Sequence, residues 1–383
     1  MLTVYLVAGE PSGDLLASRL MRALKKKTGG DVRFYGVGGE TMAQEGLTSL
    51  FDSSELAVMG LMEVIPSIPR ILKRISQTVQ DIVDKKPDVV VTVDSWSFSA
   101  RVNKALKARK TGIPQFHYVA PQVWAWKKKR AKTCGRYIDE LFALLPYEPP
   151  YFEPHGLKTD FVGHPVVEGG ASKGDGAAFR KEHGIAADAP LLCVLPGSRR
   201  SETKYLLPVF QETVSRLKQK YPALRVVVPT VVTVAEKVKK AVASWDASVT
   251  VVTGEKARYD AFAAANAALA ASGTVALELA MARVPYCIAY KMNPISSFLA
   301  PLVVKGKYVN LVNILADKLI VKEFLLKNCR ADWLANEVDL LLSDETYRQT
   351  QISQASQVLN LLGAGQAETP SDKVADILLA HRK

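Results

Sequence analysis

At 383 residues the chain is too long for one ordinary hydrophobic core, so two domains of similar size are expected. Its composition, 48% hydrophobic and 23% charged, is that of a folded soluble protein, and no run reaches the roughly 18 apolar residues that a membrane-spanning helix needs. The opening run MLTVYLVAGE is too short for a signal peptide, so a cytoplasmic location is expected. A net charge of +12 asks for an acidic partner (nucleic acid, an anionic membrane or a phosphorylated substrate) without choosing among them.

In chain order, TVYLVA at 3–8 is a strand candidate, and the helix expected from Ser12 carries Leu16, Leu20 and Leu24 at spacings of four. Further strand-like runs are Val32–Tyr35, Val89–Val93, Gln115–Val119 and Leu141–Leu145. After Gly163-His164-Pro165 comes EGGASKGDGAA, expected to be an interdomain hinge. The alternation then restarts with Leu191–Leu195, Leu224–Val228, Val249–Val252, Ala267–Ala270 and Cys287–Tyr290. Short apolar strands between helical stretches predict parallel sheets covered on both faces. The fold class is therefore α/β, with two Rossmann-like domains facing a cleft and a helical C-terminal tail. The expected boundaries are 1–165, 166–345 and a tail of 346–383 packing back on the first domain.

In such sheets ligands bind beyond the carboxyl ends of the strands, so the residues just after each strand are the candidates. The first turn, Gly9-Glu10-Pro11-Ser12-Gly13-Asp14, lacks the G-x-G-x-x-G spacing of a dinucleotide fold. It reads as an N-cap at Ser12 with Asp14 on the helix dipole, and Glu10 and Ser12 are also placed to face the cleft. Asp94, closing DVVVTVD, is either a cap or a cleft carboxylate. In the second half, Leu195-Pro196-Gly197-Ser198-Arg199 suits a diphosphate, with amides at a helix start and one arginine fork. Ser272-Gly273-Thr274 follows another strand and opens a helix containing Glu278, which is placed to accept from the two hydroxyls of a ribose, or is a plain exposed glutamate.

The four cysteines (Cys134, Cys193, Cys287, Cys329) and five histidines are scattered, so isolated thiols and no metal site are expected. Trp124 and Trp126, followed by Lys127–Arg130, are able to stack nucleic-acid bases, yet no RNA-module signature accompanies them. Residues 57–75 read AVMGLMEVIPSIPRILKRI, with Pro66 and Pro69 expected to break any long helix. Met62, Ile65, Ile68, Ile71 and Leu72 beside Arg70, Lys73 and Arg74 are either core packing or an interfacial membrane-contact element.

The strings AGEPSGD (8–14), ELAVMGLMEV (55–64), HYVAPQVWAW (117–126), FVGHP (161–165), LPGSR (195–199) and ASGTVALE (271–278) occur in this order. Together they resemble the lipid-A-disaccharide synthase family over essentially the whole chain. The resemblance implies a two-domain glycosyltransferase of the B type (GT-B). The implied reaction moves 2,3-diacylglucosamine from its UDP derivative to 2,3-diacylglucosamine 1-phosphate, giving UDP and a β-1,6 disaccharide phosphate. By position it implies Asp94 as base, Arg199 and Glu278 as UDP contacts, and Asn313 near the donor; Glu10, read from the first turn, stands beside Asp94 as a second catalytic candidate. Two departures stand out. Where a relative has Asp-Ala-Pro-Asp-Phe-Asn, this chain has Asp94-Ser95-Trp96-Ser97-Phe98-Ser99, without the second acid. Where P-E-L-L-Q is expected, Lys322-Glu323-Phe324-Leu325-Leu326 stands, which leaves Glu323 a candidate nucleotide contact.

An α-linked donor and a β product imply one inverting displacement, which needs a base for the acceptor hydroxyl and charge for the leaving diphosphate. Asp94 suits the first task if the fold buries it. Arg199 with the Ser198 and Ser272–Thr274 amides suits the second, without a cofactor or divalent cation, in keeping with the lack of a D-x-D motif. The implied partners are the two lipid substrates and the anionic inner face of the inner membrane, not nucleic acid. A homodimer stays open. The rival readings are a UDP-N-acetylglucosamine 2-epimerase-like or other lipid-dependent glycosyltransferase, and a non-enzymatic RNA- or membrane-binding protein.

Overall fold

Six runs in the first 165 residues build one parallel sheet. The computed structural model describes residues 1–56, 61–123, 129–293 and 307–381. Its first strands are β1 (Leu2–Ala8), β2 (Val32–Val37), β3 (Val89–Val93), β4 (Gln115–Tyr118), β5 (Glu140–Ala143) and β6 (Lys158–Phe161), in the spatial order β2-β1-β3-β4-β5-β6. β3, sequence VVVTV, is buried at every residue, as a central parallel strand covered on both faces must be. The helix Pro11–Thr28 lays Leu16, Leu20 and Leu24 on one face of the sheet against Leu2, Val4 and Leu6. The helix Leu61–Lys85 lays Ile75, Val79 and Ile82 on the other face, against Tyr5, Val7 and Val90. Each aliphatic side chain fully buried this way contributes up to about 1.5–3 kcal/mol.

The second sheet repeats the plan. Its strands are β7 (Leu191–Leu195), β8 (Arg225–Thr230), β9 (Ser248–Thr253), β10 (Ala267–Ala271), β11 (Tyr286–Tyr290) and β12 (Glu323–Leu325), in the order β12-β11-β10-β7-β8-β9 and all parallel. Leu206, Phe210 and Val214 of the helix Arg200–Lys220 pack on Leu192, Val194 and Val226. Two strands had no place in the sequence reading. β6 is mostly polar (KTDF), and β12 is three residues long at a sheet edge.

Three expectations are corrected. Pro66 and Pro69 do not break the segment into pieces, because Leu61–Lys85 is one 25-residue helix. A helical proline costs a backbone hydrogen bond, and the apolar face further along, with Ile75, Val79 and Ile82, holds the helix in place. The glycine-rich stretch after Pro165 is not the linker, since the chain divides between Pro165 and Val166 and the glycines belong to the second unit. The C-terminal block is divided between the two units. Gln351, Ala355, Val358 and Leu359 of the helix Glu345–Leu361 are buried within the second unit, whereas Gly365–Lys383 joins the first. There Val374, Ala375 and Leu378 of the helix Pro370–Leu379 enter the core beside Leu16 and Leu20, and Lys27 Nζ donates to Asp376 at 2.7 Å.

Candidate active site at two strand-order reversals

In each sheet the order of strands reverses once, and an open α/β sheet binds ligands outside the carboxyl ends of the strands at that point. In the first unit the reversal lies between β1 and β3, which pair in parallel with Ala8 opposite Val93. Glu10 and Ser12 follow one strand and Asp94 follows the other, so the topology brings these sequence candidates together. Ser12 Oγ donates to Asp94 Oδ2 at 3.2 Å, Ser95 N donates to Asp94 Oδ1 at 2.8 Å, and Ser95 Oγ donates to Glu10 Oε1 at 2.6 Å. Asp94 is half-buried.

Asp94 and Ser95 both have left-handed backbones, at φ 52° and 44°. Such residues cost about 1–3 kcal/mol each and persist only where the surroundings hold them. Here Asp94 N donates to Tyr118 O at 2.8 Å, and Ser99 Oγ donates to Asp94 O at 2.8 Å. Beneath the turn His117 is fully buried, with Nδ1 2.8 Å from Thr92 Oγ1 and its ring edge-on to Trp96 at 4.8 Å. Burial pushes its pKa down to about 3, so the ring is neutral. Asp14 stands in the first turn of its helix, as expected. It also accepts from Gly39 N, Thr41 N and Thr41 Oγ1 and so anchors the start of the helix Glu40–Gln44. Ser12 is not the cap, because the helix is entered at Glu10 with Pro11 first.

In the second unit the reversal lies between β7 and β10, and the turns after these strands are the two expected ones. Gly197 has φ 98°, and a Cβ there would meet Glu202 Oε2 at 2.3 Å, so only glycine fits. Glu202 Oε2 accepts from Ser198 N at 3.0 Å and Arg199 N at 3.2 Å, while Arg199 Nη1 donates to Glu202 Oε1 at 2.8 Å. This corrects one expectation: the Ser198 amide is already engaged by a carboxylate of its own helix. What the loop offers a ligand is the Arg199 guanidinium, whose side chain is 68% exposed, and the exposed Ser198. After β10, Gly273 and Thr274 are exposed and Ser272 is half-exposed. One turn on, Glu278 Oε1 accepts from Arg258 Nη2 at 3.0 Å and from Tyr259 OH at 3.3 Å.

A family model described as Lipid-A-disaccharide synthetase matches residues 4–377. The chain belongs to the lipid-A-disaccharide synthetase family. A lipid-A-disaccharide synthase of Paramagnetospirillum magneticum is 56% identical over 98% of this chain and 96% of its own length. One from Rhodospirillum centenum is 51% identical over 99% and 94%. The fold is shared with UDP-GlcNAc 2-epimerase from Neisseria meningitidis bound to UDP-GlcNAc, at TM-score 0.65, 12% identity and 99% of each chain. It is shared too with MurG of Acinetobacter baumannii, at TM-score 0.59, 16% identity, and 99% and 100% of the two chains. Family membership makes this chain a glycosyltransferase of lipid A biosynthesis, built on the GT-B plan of two Rossmann-like units.

The remaining candidates fall apart from these turns. Asn313 is fully buried and its amide is used internally. It donates to Val321 O and Glu323 Oε1, and accepts from Ile320 N and Val321 N. Glu323 accepts from Val309 N and Asn310 N at the start of the helix Leu311–Ala316. The pair staples its loop. In the apolar segment Ile68 and Leu72 are exposed, at 44% and 55%, with Arg70 and Lys73 exposed beside them. Ile71 instead packs on the core, and Arg74 Nε donates to Glu55 at 3.0 Å with its guanidinium over Phe51. That hydrogen bond holds Glu55 below the usual carboxylate range. The side chains of Met62 and Ile65, and Trp124, Trp126, Lys127 and Lys128, lie outside the described residues. Sequence reasoning missed Ser95, Trp96, Glu202, Arg258 and Tyr259. Only Glu202, three residues after the helix-opening Arg199, had a local signal in the capping-box spacing.

Proposed function

We propose that the chain moves 2,3-diacylglucosamine from its UDP derivative to the 6-hydroxyl of 2,3-diacylglucosamine 1-phosphate, releasing UDP and forming a β-1,6 disaccharide phosphate. The observation that carries this reading is the strained Asp94–Ser95 turn at the β1/β3 reversal, joined to Ser12 and Glu10, in a chain of this family. The new bond forms between the acceptor O6 and C1 of the donor sugar. The bond from C1 to the diphosphate oxygen breaks with its electron pair leaving on UDP, and the hydroxyl proton passes to Asp94. Ser12 and the Ser95 amide orient the Asp94 carboxylate, and Arg199 faces the charge that develops on the diphosphate. Glu278 accepts from the ribose hydroxyls. No divalent cation is required in this scheme.

Both substrates carry acyl chains, so the chain works at an anionic membrane surface, on the inner face of the inner membrane. Exposed Ile68 and Leu72, one helical turn apart and flanked by Arg70 and Lys73, support this placement. The test of the function is UDP release with and without the acceptor phosphate. Acceptor-dependent release is expected. Equal release without acceptor, or a donor sugar inverted at C2, would assign the chain to epimerase-like chemistry.

A further inference from the structure

The glycine-rich stretch after Pro165 and the pair Arg258–Tyr259 meet beside Glu278. The short turn Ala171–Lys173 packs against two helices at once, Glu255–Ala264 and Val275–Met281. The approach is close. A Cβ on Gly170 would lie 3.0 Å from Tyr259 Cδ2, one on Gly174 would lie 2.1 Å from Tyr259 O, and one on Gly176 would lie 2.4 Å from Ala263 O. Gly174 and Gly176 thus let two backbones interlock, and Tyr259 is held at 7% exposure. From that seat Tyr259 OH and the neighbouring Arg258 Nη2 donate to the same oxygen, Glu278 Oε1, while the Arg258 guanidinium lies 5.0 Å over the Tyr259 ring.

A free glutamate side chain turns about three torsions, and fixing them beforehand removes an ordering cost from binding. We propose that Arg258 and Tyr259, seated by the glycine segment 170–176, are positioning residues that hold Glu278 toward the ribose hydroxyls of the donor and so set the preference for a ribonucleotide. This rests on the assignment of Glu278 made above, and the experiment separates the two.

UDP and 2′-deoxy-UDP are titrated calorimetrically into the wild type, Glu278→Ala, Arg258→Met, Arg258→Lys and Tyr259→Phe, each first checked by a thermal melt. The wild type should prefer UDP by about tenfold, the scale of one hydrogen bond to a charged group. Glu278→Ala should abolish the preference. Arg258→Met should cut it at least about threefold while leaving 2′-deoxy-UDP affinity nearly unchanged, with Arg258→Lys and Tyr259→Phe intermediate. Should Arg258→Met fail to fold, Arg258→Lys and Tyr259→Phe carry the same forecast on the ratio. Full preference in the Arg258 and Tyr259 variants, or equal weakening of both ligands, overturns the positioning role and leaves the ribose assignment standing. Full preference in Glu278→Ala overturns both.

Discussion

The Ser12 hydroxyl donates to Asp94 Oδ2 at 3.2 Å, across 82 residues of sequence, and so ties the end of β1 to the end of β3. The Ser95 amide holds the other carboxylate oxygen at 2.8 Å, leaving Asp94 in a defined orientation at the strand-order reversal. Removing a positioned base typically costs about 10²–10⁴ in rate. Asp94→Asn keeps the shape of the turn and should lower kcat by that amount, with UDP affinity within a few-fold of wild type. Steady-state turnover above half of the wild-type value would sink the assignment.

Arg199 is an exposed cation of the turn after β7, held by Glu202. Arg199→Ala should weaken UDP binding by about 1.5–3 kcal/mol, the range for a hydrogen bond to a charged group. Saturating EDTA should leave the rate unchanged. Activity lost on chelation and restored by magnesium would remove the metal-free scheme.

Ile68 and Leu72 are exposed, whereas Ile71 rests on the core, so of these three the first two are placed to enter a lipid boundary. Each can contribute up to about 1.5–3 kcal/mol there, and a neighbouring cation about 1 kcal/mol. The double variant Ile68→Ser, Leu72→Ser should fold with stability within about 0.5 kcal/mol of wild type, as surface changes do, and should no longer sediment with anionic vesicles. Undiminished pelleting by a folded double variant would refute the membrane contact.

His117 is neutral and fully buried, with its pKa pushed down from 6.5 to about 3 by burial. Its folded pKa lies below the unfolded one, so the unfolded chain binds the extra proton between these values. Stability is therefore fully present above about pH 6.5 and is lost as pH falls toward 3. His164, pushed down to about 4 by burial and then by Arg19, acts in the same direction. Denaturant melts of His117→Gln should show a shallower loss between pH 6.5 and 4 than wild type. Parallel curves would exclude His117 as a source of the acid sensitivity.

How far these features were legible depends on the range of the forces that make them. β3 and β7 are buried throughout, as central parallel strands are on both faces, and nearly all apolar, so VVVTV and LLCVL announce themselves. Asp94, Arg199 and Glu278 follow strands, and a rule of position found them. Strand order is set by packing at long range, so the neighbours that make Asp94 meet Ser12 could not be read. Nor could the grip of Arg258 on Glu278, which lies 20 residues away with no spacing signal. The prolines at 66 and 69 misled because local propensity yields to the tertiary contacts of Ile75, Val79 and Ile82. Asn313 entered through the resemblance alone, and its side-chain hydrogen bonds to residues 320–323 had no local pattern to announce them.

Inverting transfer between two lipid-bearing sugars is tested most directly by its product. The purified chain is incubated with UDP-2,3-diacylglucosamine and 2,3-diacylglucosamine 1-phosphate, and the lipid product is analysed by mass spectrometry and by proton NMR of the new anomeric centre. The account predicts one UDP per disaccharide phosphate, joined through the 6-hydroxyl with the β configuration. An α linkage, or UDP released with no disaccharide formed, would contradict it.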